Sequence, residues 1–121
     1  MRLAILLPPL LAMSLSGASL SPALERDLLD ALYRAEGGPR ARRPYGILSR
    51  PVVSHDHARS IAAHAIRGQW YAWERAGRPV TFPRWFARTW CPPRTDPRGH
   101  RNLVRNLETL LRAANRRAAT R

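Results

Sequence analysis

The chain has 121 residues, the size of one domain, and its 21 basic residues are all Arg against eight acids, a formal charge of +13. Such a charge predicts attraction to polyanions but does not choose between nucleic acid, anionic lipid and an anionic wall polymer. A single cysteine, Cys91, excludes an intrachain disulfide, so the fold rests on packing, for which four Trp, three Tyr and two Phe supply large apolar areas.

Residues 1–18 read as a secretory leader. Arg2 gives a positive start, Leu3 to Leu15 an apolar run shorter than the roughly 20 residues a membrane span needs, and Ser16-Gly17-Ala18 the small residues of a cleavage site. An uncleaved anchor or a buried N-terminal helix is the alternative. No second apolar run follows, so no stable membrane insertion is expected after cleavage, and a secreted or periplasmic location is.

A first helix is expected from Pro22 to Glu36. Ser21 suits the N-cap, Pro22 the first helical position, and Gly37-Gly38-Pro39 a stop. Leu24, Leu28, Leu29, Ala31, Leu32 and Ala35 form one apolar stripe. Residues 37–54, rich in Arg, Pro and Gly, predict a loop with one short strand pair around Tyr45–Leu48 or Pro51–Val53. A second helix is expected from His55 to Ala76 behind Ser54. A third, aromatic one runs from Pro83 to Trp90 and stops at Cys91-Pro92-Pro93. The last runs from Pro97 or Gly99 to Arg117, its apolar face made by Leu103, Val104, Leu107, Leu110, Leu111 and Ala114. The expected fold is a single all-α domain over residues 19–121, a compact bundle of about four helices with at most one β-hairpin.

Glu36 stands out. At helical spacing it lies about 20° around the axis from Leu29 and about 40° from Leu32, so the acid ends the apolar face. Burial and the negative end of the helix dipole both raise a carboxyl pKa there, as a general acid requires. Arg34, Arg40, Arg42 and Arg43 would oppose this if their heads came close. The bland alternative is a last polar helix residue tucked against an Arg.

Leu32-Tyr33-Arg34-Ala35-Glu36-Gly37-Gly38, followed by Pro44-Tyr45-Gly46-Ile47-Leu48-Ser49, resembles the active-site signature of the lysozyme-like superfamily, most of all the soluble lytic transglycosylases and small secreted relatives. There a helix ends in Glu-Ser or Glu-Gly and a Gly-Leu-Met-Gln-like strand follows. The resemblance implies a lysozyme-like fold that cuts peptidoglycan glycan strands, with Glu36 as the catalytic acid. It also implies that Tyr45, Gly46, Ile47, Leu48 and Ser49 lie under the acid and border the sugar cleft. Asp96 to Leu107 is similar to the C-terminal helix of the small relatives, which implies that Asn102 and Asn106 face the cleft. Three departures stand: Ser49 replaces the usual Gln, the loop between Glu36 and Gly46 is trimmed, and the Ala-Tyr-Asn motif of larger enzymes is missing. The resemblance implies single-acid chemistry, in which Glu36 protonates the glycosidic oxygen and then drives closure of a 1,6-anhydro ring. Asp56 is the candidate second carboxylate if the reaction is hydrolysis. No metal, no organic cofactor and no nucleic-acid partner are expected, and a monomer is favoured.

Other readings compete. His55-Asp56-His57 with His64 has the residue types of a zinc site, but on a helix His55 and His57 point about 200° apart. A non-catalytic cationic protein binding wall polymer or nucleic acid is the main rival class, although no nucleic-acid motif is apparent. Cys91 reads as a small, buried, apolar residue.

Overall fold

The computed structural model describes residues 20–47 and 51–120. The leader expected at residues 1–18, and Leu48 and Ser49 of the expected cleft stretch, lie outside the described residues.

Four α-helices make up the described chain: α1 (Pro22–Ala35), α2 (His55–Arg75), α3 (Phe82–Trp90) and α4 (Pro97–Ala119). Each begins on a side-chain cap. Ser21 Oγ accepts the Leu24 N–H at 3.1 Å, and Ser54 Oγ the His57 N–H at 3.0 Å. Thr81 Oγ1 accepts the Arg84 N–H at 3.4 Å, and Asp96 Oδ1 the Gly99 N–H at 2.9 Å. These caps satisfy amides that a helix start leaves without partners, and Pro at the first or second position of α1, α3 and α4 presets the backbone. The architecture is all-α, as expected, with small shifts at the ends. α1 stops at Ala35, α2 at Arg75, α3 starts at Phe82, and α4 runs on to Ala119.

The core forms where the four apolar stripes meet. α1 buries Leu28, Leu29, Ala31 and Leu32. α2 contributes Ala58, Ala62, Ala63, Ile66 and Trp73. Its small residues let α1 approach closely. α3 adds Phe82, Phe86 and Ala87, and α4 adds Leu103 and Leu107. α1 packs on both α2 and α4, and α3 does the same from the other side. Of the four aromatics of α3, Phe82 and Phe86 are core, whereas Trp85 and Trp90 are half-buried. Among the described residues no helix is long and apolar enough to cross a membrane.

The expected strand pair is corrected. The described residues carry no strand, and the segment after α1 makes two short 3-10 turns, Gly38–Arg40 and Pro44–Gly46. Pro44 has no N–H to give a ladder. Tyr45 at φ 61° and Gly46 at φ 71° are left-handed, which no strand allows. Further on, the Val53 N–H donates to His57 Nδ1 at 3.1 Å, committing that amide to the start of α2.

Candidate functional site at the end of the first helix

Glu36 is the C-cap of α1. Its N–H still donates to Leu32 O at 3.0 Å, and Gly37, at φ 111°, turns the chain away. Only a residue without Cβ takes that conformation cheaply, so the Gly after the acid stops the helix there.

The turn Pro44–Gly46 then lies against α1 and α2. Its centre, Tyr45, is fully buried. A left-handed conformation costs a non-Gly residue about 1–2 kcal/mol, and three contacts hold it. The Tyr45 ring packs between Tyr33 and His55, with centroids 5.2 and 5.8 Å away. Its hydroxyl accepts a hydrogen bond from Arg59 Nη1 at 3.1 Å. Its carbonyl accepts one from Trp90 Nε1, at the end of α3, at 3.0 Å. The turn is therefore tied to α1, α2 and α3 at once.

What the turn positions is Gly46, directly against the Glu36 side chain. A Cβ built on Gly46 would stand 2.7 Å from Glu36 Cδ and would overlap Oε2. The absence of a side chain at 46 is what lets the carboxyl lie on the backbone. Glu36, Gly46, Arg42 and Arg43 line an open hollow of about 720 Å³. A second hollow of about 460 Å³ shares Arg42 and Arg43 and reaches Ser54 and His55.

Glu36 is half-buried, and among the described residues no hydrogen bond or ion pair reaches its carboxyl group. Burial pushes its pKa above the ordinary 4.5. The contest between burial and the nearby Arg residues thus goes to burial, because Arg42 and Arg43 stand exposed on the walls of the hollow and their charge is dispersed in water. The Cys91 thiol, partly buried after α3, is pushed up first by burial, then by the charge of Asp96, then by that of Glu36.

The structure brings Gly46 against Glu36, and the neighbours of Gly46 in the chain, Tyr45 and Ile47, are buried in the core. Asn102 and Asn106 are exposed on α4, where Asn102 Oδ1 accepts from Arg105 Nη2 at 2.6 Å; neither is among the described residues lining the Glu36 hollow. Asp56 is exposed in the first turn of α2. His55 packs edge-on against Tyr33, and His57 is an acceptor for Val53. Among the described residues no three His, Cys, Asp or Glu are grouped to hold a metal ion. One support of the turn was hidden in the sequence: Trp90 holds it from 45 residues away, with no local signal.

Comparison of the chain with family models, with curated proteins and with solved structures gave no match.

Proposed function

We propose that the protein is a peptidoglycan-cleaving glycosidase of the lytic transglycosylase type, with Glu36 as its one general acid and base. The observation that carries the reading is the state of that carboxyl group. It is half-buried, without a partner among the described residues, raised in pKa, and opens on a hollow of about 720 Å³. An acid held that way keeps its proton to higher pH than an ordinary carboxyl and has somewhere to deliver it.

The chemistry balances without water. Protonated Glu36 gives its proton to the oxygen linking C1 of N-acetylmuramic acid to the next sugar. The C1–O bond breaks and the leaving sugar departs with a hydroxyl. The 2-acetamido oxygen of the muramic acid shields the cation at C1. The Glu36 carboxylate then takes the proton from the 6-hydroxyl of the same sugar, O6 bonds to C1, and a 1,6-anhydro ring closes with Glu36 protonated again. Two-carboxylate glycosidases need a partner acid at a set separation. Among the described residues Glu36 is the one carboxylate lining its hollow, which favours the single-acid route. The leader that the sequence of residues 1–18 leads one to expect would fit a substrate outside the cytoplasm, and a secreted or periplasmic location belongs to this reading.

The test is digestion of purified sacculi with the protein and with Glu36→Gln, with soluble products identified by mass. The expected result is anhydro-ended muropeptides from the unmodified protein alone. Reducing ends would make it a hydrolase and direct attention to Asp56. Protein bound to sacculi with no product from either form would sink the enzymatic reading and leave a wall-polymer binder.

A further inference from the structure

α3 and α4 lie against each other, and between them runs an open hollow of about 500 Å³. Its rim is an array of guanidinium groups: Arg84 and Arg88 from α3, Arg101, Arg105 and Arg112 from α4. Residues four apart on a helix share a face, so the two sets confront each other across the gap. The acid on this wall, Glu108, accepts a hydrogen bond from Thr81 Oγ1 at 3.0 Å. Among the described residues none of the five Arg has a carboxylate partner. Arg105 and Arg112 donate to Asn102 and Thr109 of their own helix, and Arg88 lies 4.6 Å over the Trp85 ring. Five guanidinium groups against one carboxylate in a concave site leave a net positive field that concentrates anions.

The shape selects among anions. A membrane surface meets a flat or convex face, not a cleft between two helices. Single-stranded nucleic acid is held by base stacking on exposed aromatic faces, and here the Trp85 face is occupied by Arg88. An extended acidic peptide suits both chemistry and length. Guanidinium forks pair carboxylates bidentately. From Arg101 to Arg112 the helix rises roughly 16 Å, and four extended residues span about 13 Å.

The groove reaches the end of α3 that holds the turn: His100 lines it, His100 Nδ1 lies 2.9 Å from the carbonyl oxygen of Cys91, and the preceding residue, Trp90, bonds the Tyr45 carbonyl beside Gly46, against which Glu36 lies. We propose that the α3–α4 groove seats the short acidic peptide arm that a peptidoglycan strand carries, its carboxylates on Arg84, Arg88, Arg101 and Arg105, so that the strand is presented to Glu36. This rests on the reading of Glu36 as a wall-cutting acid, and binding of the arm is measurable without catalysis.

The experiment uses the full chain and acidic tetrapeptide arms released from sacculi by an amidase. Arm binding is titrated calorimetrically for the unmodified protein, for Arg101→Ser/Arg105→Ser, and for Arg116→Ser/Arg117→Ser, which removes equal charge from α4 outside the groove. Removing the charge-assisted hydrogen bonds that Arg101 and Arg105 give the arm should weaken binding at least about tenfold, with the second pair near unmodified affinity. Cleavage of intact sacculi should exceed cleavage of arm-free glycan for the unmodified protein, and the two rates should converge in Arg101→Ser/Arg105→Ser. Equal weakening by both pairs would reduce the groove to bulk charge and overturn the proposal. So would an oligonucleotide or an anionic vesicle that outcompetes the arm at Arg101 and Arg105. Arm binding lost on the groove variant, with no cleavage by any form, would uphold the groove and overturn the enzymatic reading. Cleavage of both substrates at one rate with no arm bound would do the reverse.

Discussion

Gly46 and Glu36 touch through the backbone of one and the carboxyl group of the other, so closely that a methyl group on Gly46 would overlap the acid. Gly46→Ala therefore does two things. It forces an L side chain into φ 71° and displaces the Glu36 side chain. Gly77→Ala separates them, because Gly77 sits at φ 85° with nothing within 4 Å of the added carbon. Both variants should lose about 1 kcal/mol or more of stability. Gly46→Ala alone should lose activity on sacculi, by about a hundredfold if the acid moves by about 1 Å. Thermal melts and digests of the two variants side by side check this, and equal activities would detach Gly46 from the chemistry.

Glu36→Gln should abolish cleavage and stabilise the protein at neutral pH. Below the ordinary 4.5 the carboxyl is protonated folded or unfolded and contributes no pH dependence. As pH rises toward the raised folded value, the unfolded chain loses its proton first, so it binds fewer protons than the folded one and stability falls. Above both values the folded protein holds a half-buried carboxylate that the unfolded chain would hydrate. Gln never ionises and escapes this loss. The melting-temperature advantage of Glu36→Gln should thus be absent at acid pH and grow as pH rises past 4.5. Taking the difference between variant and parent cancels carboxylates of the opposite sign, such as Glu25, whose pKa its hydrogen bond to Arg67 lowers. The same ionisation removes the proton donor, so cleavage should decline on the alkaline side of the raised value. An advantage that shrinks with rising pH would show Glu36 to be stabilised as a carboxylate.

Tyr45→Phe tests the tie between the turn and α2. The phenolic oxygen accepts from Arg59 Nη1, which also reaches Asp30 Oδ1 at 3.4 Å. Removing the hydroxyl leaves the ring packing and deletes one charge-assisted bond, a loss of about 1–2 kcal/mol discounted for the partly exposed guanidinium. Tyr45→Ala also empties a fully buried site and should cost about 3–5 kcal/mol. Urea unfolding of both variants checks the order, and similar losses would mean that the hydroxyl, not the ring, holds the turn.

The helices were legible because their signals are local. Ser21-Pro22, Ser54, Thr81 and Asp96-Pro97 each mark a start within a few residues, and the Leu stripe of α1 and the Leu and Val stripe of α4 name the buried faces without reference to anything distant. The turn was not legible. A left-handed Tyr runs against residue preference, so Tyr45-Gly46-Ile47 between Pro44 and the Val pair read as extended chain. What overrides the preference is a buried ring, an Arg one helix away and a Trp two helices away. The acid was legible in part: its angle from Leu29 marked it for burial, but which charge it would feel depended on where the heads of Arg42 and Arg43 end up. The groove between α3 and α4 was invisible, because Arg spread evenly along the chain collects into a facing array only once the helices pack.

The bond from Trp90 to the Tyr45 carbonyl offers the most direct test of whether that packing governs the site. Trp90 Nε1 is the tie between α3 and the backbone of the turn, and its ring stacks on Phe86 at 5.1 Å. Trp90→Phe keeps an aromatic ring beside Phe86 and removes the donor. The Tyr45 carbonyl then loses that donor, at a cost of about 1–2 kcal/mol, and Tyr45 loses one of the restraints on its left-handed backbone. The turn should loosen around Gly46, which is the surface on which Glu36 rests. The expected outcome is a modest fall in melting temperature with a larger fall in the rate of sacculus cleavage, while binding to sacculi stays near its original level. Hydrogen exchange at the amides of Gly46 and Ile47, which donate to Arg43 and Pro44 carbonyls at 2.9 and 3.4 Å, should quicken in step with the lost rate. Unchanged exchange with lost activity would move the role of Trp90 from the turn to the substrate.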